Sequence, residues 1–288
     1  MKLNYFKEPA SEVKLFSISR IITHKLSVLS PMLSAYIGKK LLLKNNGTRH
    51  YANDCIQAEK ELKLKTSFGV AHVNLFGKGK KVIVVSHGWA DTSSCFSSLV
   101  KNLKKQGYTI AAVDHIGHGK SSGNTSHLLS FINTLELLID RLNEDKLKVH
   151  GIIGHSMGAL ATFNLPQEHL KNKKIILISS PINFFELLFE KVEQLGISEN
   201  LLKRVLESLA GQAGITWQQL AMKNSCSKLK LDISFIHDRF DRYAPFQEVN
   251  SFLNQEKNTL FITEGLGHRR ILGDTEVIEY ITKVLASR

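Results

Sequence analysis

Four short apolar runs rich in β-branched residues, at 82–85, 108–113, 149–153 and 175–178, alternate with segments of helical period. A run of this kind puts apolar side chains on both faces of a strand, so each strand must be covered on both sides. The helical segments at 96–105, 128–142 and 159–165 supply that cover. Strand–helix alternation means a parallel, doubly wound sheet with right-handed crossovers. A hairpin precedes it: Leu62, Leu64 and Thr66 alternate, as do Ala71, Val73 and Leu75, with Phe68-Gly69 between them. The rhythm stops at 183–227, where only helical patterns occur (184–195, 201–209, 217–222). It resumes with a strand at 231–236, a helix at 246–253, a strand at 260–262 and a last helix around 277–285. The expected fold class is therefore α/β, a doubly wound, mostly parallel sheet with a helical cap inserted at the carboxyl edge, where open α/β sheets bind ligands. The expected organisation is an N-terminal helical arm over 1–58, a core over 59–182 and 228–288, and a cap over 183–227.

Composition narrows the class. With 288 residues, 43% hydrophobic and 22% charged, the chain can bury a core and is too apolar for disorder. Cys55, Cys95 and Cys226 are scattered and odd in number, which predicts a reduced, cytoplasmic chain rather than a disulfide scaffold. The N-terminus lacks the apolar core of a signal peptide, and the most apolar early stretch, 26–43, is broken by Ser27, Ser30, Pro31, Ser34, Gly38, Lys39 and Lys40. The net charge of +12 raises nucleic acid as a partner. The lysines are spread along the chain, however, and the densest runs (Lys78 to Lys81, Lys171 to Lys174) directly precede strands, as solvated turns do. No nucleic-acid partner is expected. Over 12–45, apolar residues at helical spacing fall on either side of a break at Pro31. These basic, amphipathic helices suit weak contact with a membrane surface, although an arm packed on the main domain is the preferred reading.

The chemistry concentrates at Gly154-His155-Ser156-Met157-Gly158, which follows a strand and opens a helix. Two glycines permit a sharp turn that lifts the Ser156 hydroxyl above the sheet edge. The Met157 N–H then lies at a helix N-terminus, where a developing oxyanion is stabilised. A serine needs a base. His268, in the turn after the strand at 260–262, stands where a base can reach it. An acid should lie between them in sequence, and the turn after the strand at 231–236 offers Asp238 and Asp241. Asp241, near the tip, is favoured, and Asp238 is read as shaping the turn. Asp114 also ends a strand but precedes Ser156. After the strand at 82–85, Ser86-His87-Gly88-Trp89 should bring the Trp89 N–H to the oxyanion beside that of Met157, with His87 buried and structural. His115 and His118 have an H-x-x-H spacing, but no carboxylate or cysteine cluster completes a metal site.

These motifs together resemble the α/β-hydrolase superfamily, over about residues 60–288. The carriers are His87-Gly88-Trp89, the loop from Asp114 to Ser121, Gly154 to Gly158, the Asp241 loop and Gly267-His268. More narrowly, His237 to Pro245 and Thr263 to Leu272 resemble bacterial stand-alone hydrolases with a helical cap. The resemblance implies Asp241 as the acid and a structural role for the Asp114 loop. Tyr243-Ala244 departs from the pattern, in which a small β-branched residue precedes the proline. The expected function is a serine hydrolase for small to medium apolar carboxylic esters or thioesters, with no metal and no cofactor. The alternatives are an acyltransferase or C–C bond hydrolase with the same three residues, or a non-catalytic binding protein on the same fold.

Overall fold

The computed structural model describes residues 13–45, 47, 56–224, 231–253 and 259–287. The chain divides into two compact units, one from Gly47–Ile182 and Ser225–Arg288, the other from Met1–Asn46 and Asn183–Asn224.

The first unit is built on eight strands: β1 (Lys60–Thr66), β2 (Gly69–Phe76), β3 (Lys81–Ser86), β4 (Thr109–Asp114), β5 (Lys148–His155), β6 (Lys174–Ile178), β7 (Ile233–Asp238) and β8 (Thr259–Thr263). Their order across the sheet is β1-β2-β4-β3-β5-β6-β7-β8. The β1–β2 hairpin pairs antiparallel, β2 runs antiparallel to β4, and the six strands from β4 to β8 are parallel. Residues 82–85 of β3 and 110–113 of β4 are fully buried, as a strand covered on both faces requires. Helices α3 (Ser97–Lys105), α4 (Leu128–Glu144), α5 (Met157–Phe163), α6 (Gln167–Leu170), α9 (Phe246–Leu253), α10 (Gly267–Arg270) and α11 (Thr275–Ala286) connect or follow the strands. α11 shows how the sequence makes such an element. Asp274 caps it by accepting from Val277 N at 3.1 Å, and Val277, Ile278, Ile281 and Leu285 form one buried stripe. Each such side chain contributes about 2 kcal/mol of burial.

Strand order decides where a site can form. From β3 the chain passes to β4 on one side and later to β5 on the other. At this reversal the loops leaving β3 and β5 emerge side by side, with Ser86 in register with Gly154.

The second unit contains α1 (Val13–Leu29), α2 (Pro31–Leu42), α7 (Phe184–Gln194) and α8 (Glu199–Gln212). The insertion expected as a cap is helical, but the pattern at 217–222 forms two 3₁₀ turns, Trp217–Leu220 and Met222–Asn224, rather than one helix. Trp217 explains why: its ring packs on Phe185 and Phe189 at 5.0 and 5.6 Å, so the chain folds back onto α7. The expected arm spans 1–58, of which 1–12, 46 and 48–55 lie outside the described residues. Its described helices end at Leu42 and pack on α8. Cys55 and Cys226 lie outside the described residues, and Cys95 is a buried free thiol. Among the described residues no helix is long and apolar enough to cross a membrane.

Candidate active site

Ser156 is the entire connection between β5 and α5. Its φ of 54° and ψ of −120° are unusual for a residue with a side chain, at a cost of about 1–3 kcal/mol. The neighbourhood holds it there. Ser156 N donates to Ile178 O on β6 at 2.9 Å, and its carbonyl accepts from Ala159 N at 2.9 Å, the first turn of α5. The helix also approaches β3 closely: a Cβ at position 158 would lie 2.3 Å from Ser86 O and 2.5 Å from His87 O. Gly158→Ala is therefore expected to lower stability by about 2 kcal/mol or more, read as a drop in the urea midpoint. An unchanged midpoint would contradict this close approach.

His268 sits in α10, just past β8. Its Nε2 lies 2.9 Å from Ser156 Oγ and its Nδ1 lies 2.7 Å from Asp241 Oδ2. Asp241 Oδ1 accepts from Tyr243 N at 2.8 Å and Ala244 N at 3.0 Å. Burial of Asp241 opposes its ionisation. The hydrogen bond and charge of His268, with the two backbone N–H groups, outweigh that and hold its carboxyl below the ordinary range. Asp238 looks elsewhere. It accepts from Phe240 N at 2.9 Å, Thr263 Oγ1 at 2.8 Å and Leu266 N at 2.9 Å, tying the β7 turn to the loop that carries His268.

The loop after β3 runs under the serine. A Cβ on Gly88 would fall 2.8 Å from Ser156 Cβ and 3.3 Å from its Oγ. The Trp89 indole packs edge-on against His118 at 5.5 Å. His87 is buried, its Nδ1 donating to Gly88 O at 2.7 Å and its Nε2 accepting from His115 N at 3.1 Å. His115 and His118 do not converge on a common point. His115 Nε2 bonds Ser86 Oγ at 2.8 Å and its ring stacks on Phe131, while His118 Nε2 accepts from Ala90 N at 3.1 Å. Asp114 closes its own loop by accepting from Ser93 N at 2.8 Å and Lys120 N at 3.0 Å. An open pocket of about 580 Å³ flanks the histidine loop. Its wall includes Phe240, Tyr243, Leu266 and His268 but not Ser156, so it borders the base rather than the hydroxyl.

One contributor escaped the sequence reading. His155, the middle residue of Gly154-His155-Ser156, is buried with its ring 4.9 Å from that of His268, and its Nε2 donates to His268 O at 2.7 Å. Only its place beside the serine could have pointed to it. Burial, reinforced by the nearby His268, pushes its pKa down to about 3, and burial does the same to His118. Both rings are thus neutral in the folded chain and take up a proton below about 6.5 once unfolded. The unfolded state then binds more protons, so stability falls as pH drops from 6.5 towards 3, by about 2 kcal/mol for each ring at pH 5. Urea midpoints at pH 7 and pH 5 measure this, and equal midpoints would contradict it.

An eight-stranded, mostly parallel sheet with flanking helices is the α/β-hydrolase fold, and solved esterases share it. An esterase from Pyrococcus furiosus superposes with a TM-score of 0.62 at 20% identity, covering 83% of this chain and 96% of that one. Residues 77–268, more than half of the chain, match the family described as serine aminopeptidase, S33, and the chain belongs to that family of α/β hydrolases. Among curated proteins it is similar to the monoglyceride lipase of Rattus norvegicus, 28% identical over 110 residues (37% of this chain, 36% of the relative). It is also similar to the monoacylglycerol lipase of Mycolicibacterium smegmatis, 26% identical over 104 residues (35% of this chain, 37% of the relative). The chain spans roughly a third of the length of these two relatives.

Proposed function

We propose that the protein is a serine hydrolase that cleaves small to medium apolar carboxylic esters or thioesters through an acyl-enzyme on Ser156. The observation that carries this reading is the hydrogen-bonded row from Ser156 Oγ through His268 to Asp241. His268 Nε2 takes the serine proton as Oγ attacks the acyl carbon. Asp241 keeps the other proton on Nδ1 and stabilises the imidazolium. The oxyanion is held by the backbone N–H groups of Trp89 and Met157. Two features support that assignment: Met157 is the first residue of α5, where amides lack a partner within the helix, and the Gly88 backbone lies against Ser156. The protonated His268 then gives its proton to the departing alcohol or thiol, and a water activated by His268 releases the acid. Every step is carried by these groups, and the scheme calls for no cofactor.

The family's description names a peptidase, but the matched relatives are named for glyceride esters, and this favours an ester substrate. The test is fluorophosphonate labelling with peptide mass spectrometry, followed by p-nitrophenyl esters from acetate to dodecanoate. We expect labelling at Ser156 that His268→Ala removes, and a rate that rises with acyl length before falling. A folded protein that takes no label would sink the serine mechanism. A flat length series would remove the apolar acyl preference alone.

A further inference from the structure

The two N-terminal helices are built inside out. α1 turns its polar residues towards its own unit: Ser27 is buried, Thr23 Oγ1 accepts from Ser198 N at 2.9 Å, Asn200 Nδ2 donates to His24 Nδ1 at 3.1 Å, and Arg20 pairs with Glu193 at 2.6 Å. Five of its large apolar residues face outward. Ile18, Ile21, Ile22 and Val28 are each more than half exposed, and Leu29 is 81% exposed. At helical spacing these five fall within an arc of about 120°, with Lys25 near its centre.

α2 repeats the arrangement. Its inward face is Ser34, Ala35, Gly38 and Leu42, and a Cβ on Gly38 would lie 2.4 Å from Val205 Cγ2, so α2 sits close on α8. Met32, 89% exposed, and Tyr36 face outward, and the Lys40 ammonium lies 4.4 Å over the Tyr36 ring. A helix pair in water places its apolar stripe inside. Small and polar groups inside with large apolar groups outside is the arrangement of helices that face lipid.

Charge selects the occupant. Residues 13–45 contain six cations (Lys14, Arg20, Lys25, Lys39, Lys40, Lys44) and no aspartate or glutamate. A second copy of the chain would bring like charge against like. An anionic lipid surface offers both apolar depth and negative charge. Among the described residues neither helix is long and apolar enough to cross a bilayer. We propose that α1 and α2 seat the protein in the plane of an anionic membrane surface, with the apolar stripe at the acyl boundary and the lysines among the headgroups. Nothing in this depends on the role of Ser156.

Cosedimentation of the full chain with phosphatidylcholine vesicles, with and without about 30% phosphatidylglycerol, tests it. The chain should pellet with the anionic vesicles and at least about tenfold less with pure phosphatidylcholine. Lys39→Gln and Lys40→Gln should each weaken binding about fivefold. Leu29→Glu with Met32→Glu should abolish pelleting while the thermal midpoint stays unchanged, because both side chains are exposed. The proposal is overturned if neither vesicle binds, or if the double glutamate variant pellets like the parent. It is also overturned if the lipid-free chain sediments as a dimer that the same two substitutions break, since a second copy would then own the face.

Discussion

Ser156→Ala is expected to lower kcat/KM for an activated short-chain ester by about 10⁴-fold or more, with an unchanged circular dichroism spectrum. The substitution removes only the Oγ that His268 Nε2 reaches at 2.9 Å. The turn itself is held by backbone bonds, Ser156 N to Ile178 O and Ala159 N to Ser156 O, which alanine keeps. In the proposed mechanism serine and base act as a unit, so adding His268→Ala to the serine variant should cost little more, although each alone should be severe. A residual rate above that of water should survive in both, from the backbone donors at Met157 and Trp89. Steady-state kinetics on the two single variants and the double variant decide it. Additive losses, or a serine variant that keeps its rate, would mean that the row of hydrogen bonds is not the reaction path.

Asp241→Asn is expected to be nearly as damaging, about 10⁴-fold in kcat near neutral pH, and the structure says why an isostere fails. Tyr243 N and Ala244 N both donate to Oδ1, so the asparagine must present its oxygen to them. Its NH₂ then occupies the place of Oδ2, 2.7 Å from His268 Nδ1. A donor there drives the imidazole proton to Nε2, which faces Ser156 as a donor instead of an acceptor. Asp238→Asn supplies the contrast. Its carboxylate serves Phe240 N, Thr263 Oγ1 and Leu266 N, so its loss should lower the urea midpoint well before it lowers kcat to a comparable degree. Measuring kcat and the urea midpoint for both variants separates the roles. Equal losses of kcat would mean that the acid was assigned to the wrong aspartate.

Residue types and spacing carried much of this before any coordinates. The runs at 82–85, 149–153 and 175–178 became β3, β5 and β6 because apolar, β-branched strands have no other way to hide both faces. The order serine, acid, histidine brought Ser156, His268 and the two candidates Asp238 and Asp241 to attention, with Asp241 favoured for its place near the tip of the turn. Other features were closed to the sequence. His155 reads as a filler between glycine and serine, since its bond to the His268 carbonyl spans residues far apart in the chain. The period at 217–222 announced a helix, but packing of Trp217 on Phe185 and Phe189 took precedence over propensity. For α1, spacing showed that one face was apolar and could not show which way that face would turn, because direction depends on the hydroxyl and charged partners on α7 and α8.

The pairing of α1 and α2 with α8 also sets an order of events during synthesis. The arm is made before the sheet, and β1 through β6 are all made before its partner helix exists. Until then Thr23 lacks the Ser198 N–H that it accepts from in the native chain, and Gly38 has no Val205 to lie against. The sheet's β1–β2 hairpin has a tight loop, and its β3–β4 crossover joins neighbouring parts of the chain through α3, so both can close first. The nascent chain therefore holds a basic, apolar-striped segment unmatched for much of its production. A substitution that weakens α8 at Val205 should show its first effect in yield and aggregation, and only later in the stability of the finished protein.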